Sequence, residues 1–266
     1  MLYIRHYLLA VQFFTRIPIT GSLASWVGYS PEMLRASAAH FPGVGVLVGS
    51  LVAVLTAVLL MFLPQASALS PLAAAVLGTV FSVMLTGAFH EDGLADIADG
   101  LGGSQNRERA LEIMKDSRVG AFGAIAVVLI LLAKVALLAV IGDVNPEAMV
   151  VGIFVAHVAS RTFPLLLIRL LPHVGDLAGS KSKPLADQIS GFSLFVAILW
   201  LFMAISSVFI SYGAIYLIAS MVAASIAFLY MWRLFAKRLQ GFTGDCLGAT
   251  QQVCEVAFYL GLVLGL

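Results

Sequence analysis

The segment 90–103, HEDGLADIADGLGG, holds three aspartates, Asp92, Asp96 and Asp99, at spacings of four and three residues. On a helix of 3.6 residues per turn these spacings place the three carboxylates in one stripe about 60° wide. Like charges this close raise one another's pKa unless a cation balances them. Oxygen ligands select hard cations, and Mg²⁺ commonly joins one or two carboxylates to substrate phosphates. We therefore predict a Mg²⁺ site on Asp92, Asp96 and Asp99 that serves phosphoryl or nucleotidyl transfer.

A basic run follows the aspartates. The segment RERALEIMKDSRVGAFG carries Arg107, Arg109, Lys115 and Arg118 within twelve residues. Guanidinium groups bind phosphate oxygens well, so one interpretation is a diphosphate held between a metal ion and this run. The alternative is that cytoplasmic loops of membrane proteins are basic regardless of function.

A third polar segment lies near the end of the chain. Residues 238–255, RLQGFTGDCLGATQQVCE, combine three glycines with Thr243 and Asp245 just before an apolar stretch. Glycine-rich backbone at a helix start suits phosphate, and Asp245 is a candidate ligand or base. The alternative is an ordinary turn between two spans. Arg161 is a further candidate, because a charge inside an apolar segment is costly and usually functional.

The composition defines the class of protein that must position these groups. Hydrophobic residues make up 61% of the 266 residues and charged residues 11%, whereas soluble domains carry about 25% charged residues. The net charge of +1 gives no field that would attract nucleic acid. Two cysteines, Cys246 and Cys254, provide no disulfide framework. We predict an all-α, polytopic integral membrane helix bundle, with residues 1–266 forming a single membrane-embedded catalytic domain.

Seven apolar stretches approach the roughly 20 residues that a spanning helix needs. The predicted spans are 43–63, 70–89, 121–141, 148–171, 192–211, 213–231 and 249–266. The N-terminal stretch is predicted to be an interfacial helix with Arg5 and Arg16 at the polar boundary.

The basic residues indicate the orientation of these spans. With the N-terminus in the cytoplasm, twelve of the fifteen Lys and Arg residues fall on one side. They are Arg5, Arg16, Arg35, Arg107, Arg109, Lys115, Arg118, Lys181, Lys183, Arg233, Lys237 and Arg238. The segment 90–103, the 172–190 loop and the 232–248 loop are then all cytoplasmic. We predict a multi-pass protein of the cytoplasmic (inner) membrane whose active site faces the cytoplasm.

Six segments resemble one known family from the N-terminus to the last span. They are FFTRIPI at 13–19, FPGVGVLVG at 41–49, GAFHEDGLADIADGLGG at 87–103, LEIMKDSRVGAFG at 111–123, SRTFP at 160–164 and GFTGDCLGA at 241–249. This order resembles the cobalamin synthase family, also called the adenosylcobinamide-GDP ribazoletransferases. The chain departs from the family pattern at Ala88 and Phe242, where glycine is common.

The resemblance implies the step that joins α-ribazole, or its 5′-phosphate, to adenosylcobinamide-GDP, with release of GMP. It implies Mg²⁺ as cofactor, a lipid bilayer as environment and the two substrates as partners. On this basis Asp99 and Asp245 are the candidate bases, and Lys115 is assigned to catalysis as a diphosphate-binding cation. The predicted substrate-binding residues are Arg109, Lys115, Asp116, Ser117, Arg118, Arg161, Thr243, Gly244 and Asp245. The sequence leaves open whether the protein is a homo-oligomer.

Two other functions compete with this interpretation. A CDP-alcohol phosphotransferase also uses an aspartate stripe, but its pattern has an arginine where this chain has Asp96. A cation transporter, which belongs to a different class, would place its carboxylates in mid-membrane rather than at one boundary.

Overall fold

The computed structural model describes residues 1–64, 67–175, 189–212 and 215–266. Within these ranges the chain is helical apart from short connections and one isolated bridge between His173 and Phe242. The helices are α1 (Leu2–Phe14), α2 (Gly21–Val27), α3 (Pro31–Ser37), α4 (Phe41–Phe62), α5 (Ser70–Thr86), α6 (Phe89–Gly103), α7 (Arg107–Ile113), α8 (Ala121–Val144), α9 (Pro146–Leu170), α10 (Gly191–Tyr212), α11 (Ile215–Arg238) and α12 (Gly244–Gly265). A 3₁₀ turn, Ala38–His40, joins α3 to α4.

Six helices of the described ranges are long and apolar enough to cross a membrane, or seven if the bent pair α5–α6 counts as one span. The prediction of an all-α polytopic membrane protein is therefore confirmed. The N-terminal helix is also present as α1. Part of the predicted 172–190 loop, with Lys181 and Lys183, lies outside the described residues.

The predicted second span, 70–89, was wrong at its end. Helix α5 stops at Thr86 after 17 residues, and the chain bends by 88° before α6 begins. Gly87 and Ala88 both have positive φ, at 68° and 57°. Two successive left-handed residues break a right-handed helix, and glycine adopts this conformation without strain. The bend separates the helix that carries the aspartates from the preceding apolar helix.

Two other predicted boundaries were wrong as well. The predicted loop 232–248 is largely helical, because α11 continues to Arg238 and α12 already begins at Gly244. Helices α8 and α9 are separated by Asn145 alone, whose side chain caps α9 by accepting from the Ala148 amide at 3.0 Å. Short connections keep these consecutive helices in contact.

Helices α9 and α12 form the centre of the bundle. In their most apolar windows, 83% of the α9 residues and 61% of the α12 residues are buried, against 17% for α8. Helix α12 contacts α6, α8, α9 and α11, while α4 packs along α9. The polar residues of α12, which a lipid-facing helix would not tolerate, therefore have protein on several sides.

Candidate active site

Helices α6 and α12 cross at two glycines. A Cβ atom on Gly93 would lie 2.9 Å from the Asp245 carbonyl oxygen and 3.1 Å from its Cα. One on Gly248 would lie 3.2 Å from the carbonyl oxygen of His90. Small residues let helix backbones approach closely in membrane proteins. The crossing brings the side chains around Gly93 next to those of the first turn of α12.

Three carboxylates near this crossing repel one another electrostatically, and we name Asp92, Asp96 and Asp245 the carboxylate cluster. Asp92 is exposed, while Asp96 and Asp245 are half-buried. Burial, followed by the negative charges of Asp245, Asp92 and Asp99, raises the pKa of Asp96 to about 7. Thr243 donates its hydroxyl to an Asp245 carboxylate oxygen at 3.2 Å. Such a repulsive arrangement favours a bound cation, since a cation offsets the charge that burial and neighbours make costly.

Asp99 faces a different helix from the other two aspartates of α6. One carboxylate oxygen accepts the backbone N–H of Gly120 at 2.7 Å and the other that of Gly123 at 2.8 Å. Both amides belong to the N-terminus of α8, which attracts negative charge. The two glycines also make room, because a Cβ on either one would collide with the Asp99 carboxylate. Asp99 therefore joins α6 to α8.

These contacts bear on the predicted metal site. In the part of the chain that the structure describes, no three Asp, Glu, His or Cys side chains are grouped so that they could hold a metal ion together. Mg²⁺ needs fewer protein ligands, since one or two carboxylates with water and phosphate oxygens complete its shell. The donors of the carboxylate cluster fit that chemistry. The assignment of Asp99 as a third ligand or as the base stays a prediction, and its two amide contacts favour Asp96 and Asp245 instead.

Asp99→Asn is expected to lower the free energy of unfolding by about 1–3 kcal/mol, because one of the two amides would then face an NH₂ group instead of an oxygen. Thermal unfolding in detergent checks this loss. Asp143→Asn, an exposed site near the other end of α8, serves as the control. An Asp99→Asn protein as stable as the control would contradict the anchoring role.

The predicted basic run divides into two parts. Arg107 donates to the Leu239 carbonyl at 2.6 Å, and Arg238 donates to the Ser104 carbonyl at 2.7 Å. These two bonds hold the start of α7 and the end of α6 against the end of α11. Arg109 and Arg118 line a surface pocket of about 520 Å³ that also reaches Asp99.

The rim of this pocket carries surface ion pairs. Arg109 lies 3.0 Å from Glu112, and Arg118 lies 2.6 Å from Asp116. The hydrogen bonds from Arg118 lower the pKa of Asp116 to about 2. Lys115 and Ser117 are exposed beside them. The structure thus brings these predicted residues together on one exposed surface, where a charged substrate has access to them.

The segment before α12 is fixed through its backbone. The Phe242 amide donates to the Pro172 carbonyl at 3.0 Å, and the Phe242 carbonyl accepts the Val174 amide at 2.9 Å. The Phe242 ring is buried against His173, with 5.4 Å between ring centroids. The Phe242 amide is therefore already hydrogen-bonded within the fold. The residues of this segment that adjoin the carboxylate cluster are Thr243, which caps α12, and Gly244.

Arg161 lies in the interior rather than on this exposed surface. It is 1% exposed, donates to Nδ1 and the carbonyl oxygen of His157 at 2.9 and 3.0 Å, and stands 5.8 Å from the centre of the Phe41 ring. Its predicted contact with substrate stays a prediction.

Sequence reasoning missed a buried polar network beside Arg161. Lys134 of α8 pairs with Glu255 of α12 at 2.6 Å, and both side chains are at most 3% exposed. Further members are Glu91, Gln251, Gln252 and Tyr259. The sequence signal that could have found this network is a lysine and a glutamate inside apolar segments, Lys134 and Glu255. Charges buried in membranes usually occur in pairs, so each predicts a partner of opposite charge.

The fold and the site define a polytopic helical membrane protein with a carboxylate cluster and a basic surface near one end of the bundle. The family described as Cobalamin-5-phosphate synthase matches residues 6–263, and the chain belongs to this family. A protein named adenosylcobinamide-GDP ribazoletransferase from Albidiferax ferrireducens is 65% identical over 99% of each chain. Proteins of the same name are 59% identical in Polaromonas sp., over 99% of this chain and 98% of theirs, and 43% identical in Vibrio cholerae, over 97% and 92%. No solved structure matches the chain.

Proposed function

We propose that this protein is an adenosylcobinamide-GDP ribazoletransferase that joins α-ribazole, or its 5′-phosphate, to adenosylcobinamide-GDP and releases GMP. The observation that carries the proposal is the carboxylate cluster at the α6–α12 crossing, in a chain 65% identical over 99% of its length to a protein of that name. Aspartates beside a basic surface suit the transfer of a phosphoryl-linked group, because they offer sites for a metal ion and for phosphates.

In the proposed reaction, a ribose hydroxyl oxygen of α-ribazole forms a bond to the phosphorus on the aminopropanol arm. The bond from that phosphorus to the GMP oxygen breaks, and GMP leaves. A carboxylate accepts the proton of the attacking hydroxyl, and Asp245 and Asp96 are better placed for this than Asp99, whose oxygens are engaged. Arg109, Lys115 and Arg118 bind the diphosphate.

The metal ion is part of this proposal. One or two of the carboxylates of Asp92, Asp96 and Asp245 would hold Mg²⁺, with water and phosphate oxygens completing its shell. When bound, the ion would neutralise negative charge on the diphosphate and on departing GMP. Thr243 orients the Asp245 carboxylate through its hydroxyl. The half-burial of Asp96 and Asp245 limits water around the reacting groups, which strengthens electrostatic interactions there.

The test is direct. Purified protein in lipid vesicles, supplied with adenosylcobinamide-GDP, α-ribazole phosphate and Mg²⁺, is expected to release GMP only when both organic substrates are present. GMP release that does not require α-ribazole phosphate would indicate a hydrolase, and no release at all would refute the proposal.

We further propose that the carboxylate cluster faces the cytoplasm from the inner membrane, with the N-terminus on the same side. The basic residues near the ends of α6, α7 and α11 support this orientation. A thiol reagent that cannot cross membranes is expected to label Ala68→Cys from the periplasm of intact cells, and Gln105→Cys only after lysis. Both positions are exposed, and the native cysteines are buried. The reverse labelling pattern would contradict the orientation.

A further inference from the structure

The buried polar network reaches the helices that carry the carboxylate cluster. Gln252 of α12 donates to Glu91 of α6 at 2.9 Å, and both side chains are at most 5% exposed. Glu91 immediately precedes Asp92. Gln252 follows Asp245 by seven residues, which is about 10 Å along the helix axis. One buried hydrogen bond thus connects the two helices that carry the carboxylate cluster.

This bond is the one side-chain hydrogen bond between α6 and α12 that we find in the described ranges. At their crossing, Gly93 and Gly248 bring the two backbones close together. Smooth glycine surfaces allow two helices to slide or rotate relative to each other. A buried hydrogen bond opposes such motion, because breaking it leaves a polar group unsatisfied in an apolar interior.

Gln252 is itself held in place by the rest of the network. It also donates to the Gln251 side chain at 2.9 Å, and Gln251 donates to Ser160 of α9 at 3.0 Å and to Glu255 at 2.7 Å. Glu255 pairs with Lys134 of α8. These contacts therefore fix the position of Gln252 relative to α8 and α9. Through its bond to Glu91, Gln252 in turn fixes the position of α6.

We propose that Glu91 and Gln252 are positioning residues that set the spacing between Asp92 and Asp96 on α6 and Asp245 on α12. Neither residue touches the reacting groups. They act by keeping the carboxylates at the separation that a divalent cation requires, as outer hydrogen-bond partners do at metal sites. The inference rests on the proposed function in so far as the cluster holds Mg²⁺.

Two substitutions at position 91 separate the hydrogen bond from the charge. Glu91→Gln and Glu91→Met both remove the negative charge, but only glutamine retains an oxygen that accepts from Gln252. We expect Glu91→Met to weaken binding of Mn²⁺ alone, measured by electron paramagnetic resonance, and to raise the Mg²⁺ concentration for half-maximal GMP release, each by about tenfold. Glu91→Gln is expected to stay within about twofold of the unmodified protein in both measurements.

A double-mutant cycle and a structural control complete the experiment. Gln252→Met is expected to match Glu91→Met, and the double variant to be no worse than either single one, because both remove the same bond. Ser70→Ala breaks a hydrogen bond outside the network, from the Ser70 hydroxyl at the start of α5 to the Pro64 carbonyl at 2.7 Å, and is expected to lower thermal stability without changing the metal requirement.

The outcomes distinguish the two proposals. Equal impairment of Glu91→Gln and Glu91→Met, or a Ser70→Ala variant with the same shift in metal affinity, would overturn the positioning role and leave the proposed function standing. Unmodified protein that releases GMP but binds no Mn²⁺ would overturn the metal site and this inference with it. Unmodified protein that binds Mn²⁺ but releases no GMP would overturn the proposed function alone.

Discussion

Asp245→Asn is expected to lower the rate of GMP release by at least ~100-fold, the scale of effect for loss of a positioned acid–base group or metal ligand. The same change is expected to leave the melting temperature unchanged or to raise it. Asparagine retains an oxygen that accepts from Thr243, and it removes a charge that repels Asp96 and Asp92. A residue kept for chemistry at the expense of stability behaves in this way.

Paired measurements of GMP release and thermal unfolding in the same preparation check this prediction. Asp143→Asn is a useful comparison, because its exposed carboxylate lies near the other end of α8 and outside the cluster. An Asp245→Asn protein that is inactive because it is unfolded, or folded and fully active, would contradict the role of Asp245.

Glu255→Gln is expected to lower the free energy of unfolding by about 3–5 kcal/mol, because it leaves the buried Lys134 ammonium without its counter-charge. Adding Lys134→Met is expected to recover most of this loss, since the neutral pair no longer contains an isolated charge. Unfolding by a denaturing detergent measures both values. A single variant as stable as the unmodified protein, or a double variant no better than the single one, would show that the pair does not anchor α12 to α8.

The sequence predicted most of the fold because apolar length alone identifies spanning helices. It failed where local backbone conformation decides the outcome. The segment 70–89 is apolar throughout, so hydropathy continues past Thr86, whereas the left-handed pair at Gly87 and Ala88 ends the helix. The prediction also started α12 too late, at residue 249 instead of Gly244. The polar residues that follow Gly244 resemble a loop in sequence, although in the structure they face protein.

The candidate site was predicted in part. Helical spacing correctly put three aspartates on one helix, and the glycine-rich segment with Asp245 was selected as a separate candidate. Periodicity gives the direction of a side chain but not its neighbour. Asp92 and Asp99 are about 10 Å apart along α6, so they meet different helices, α12 and α8. Only the tertiary structure separates the carboxylate cluster from the Asp99 anchor.

The central claim is that transfer occurs at the carboxylate cluster, and comparison of Asp96→Asn with Asp143→Asn tests it most directly. Asp143 lies about 33 Å from the start of α8, toward the other end of the bundle. The rate of Mg²⁺-dependent GMP release from adenosylcobinamide-GDP and α-ribazole phosphate is measured for both variants in lipid vesicles. We predict a loss of at least ~100-fold for Asp96→Asn and a change within about twofold for Asp143→Asn. Equal rates for the two variants would contradict the claim.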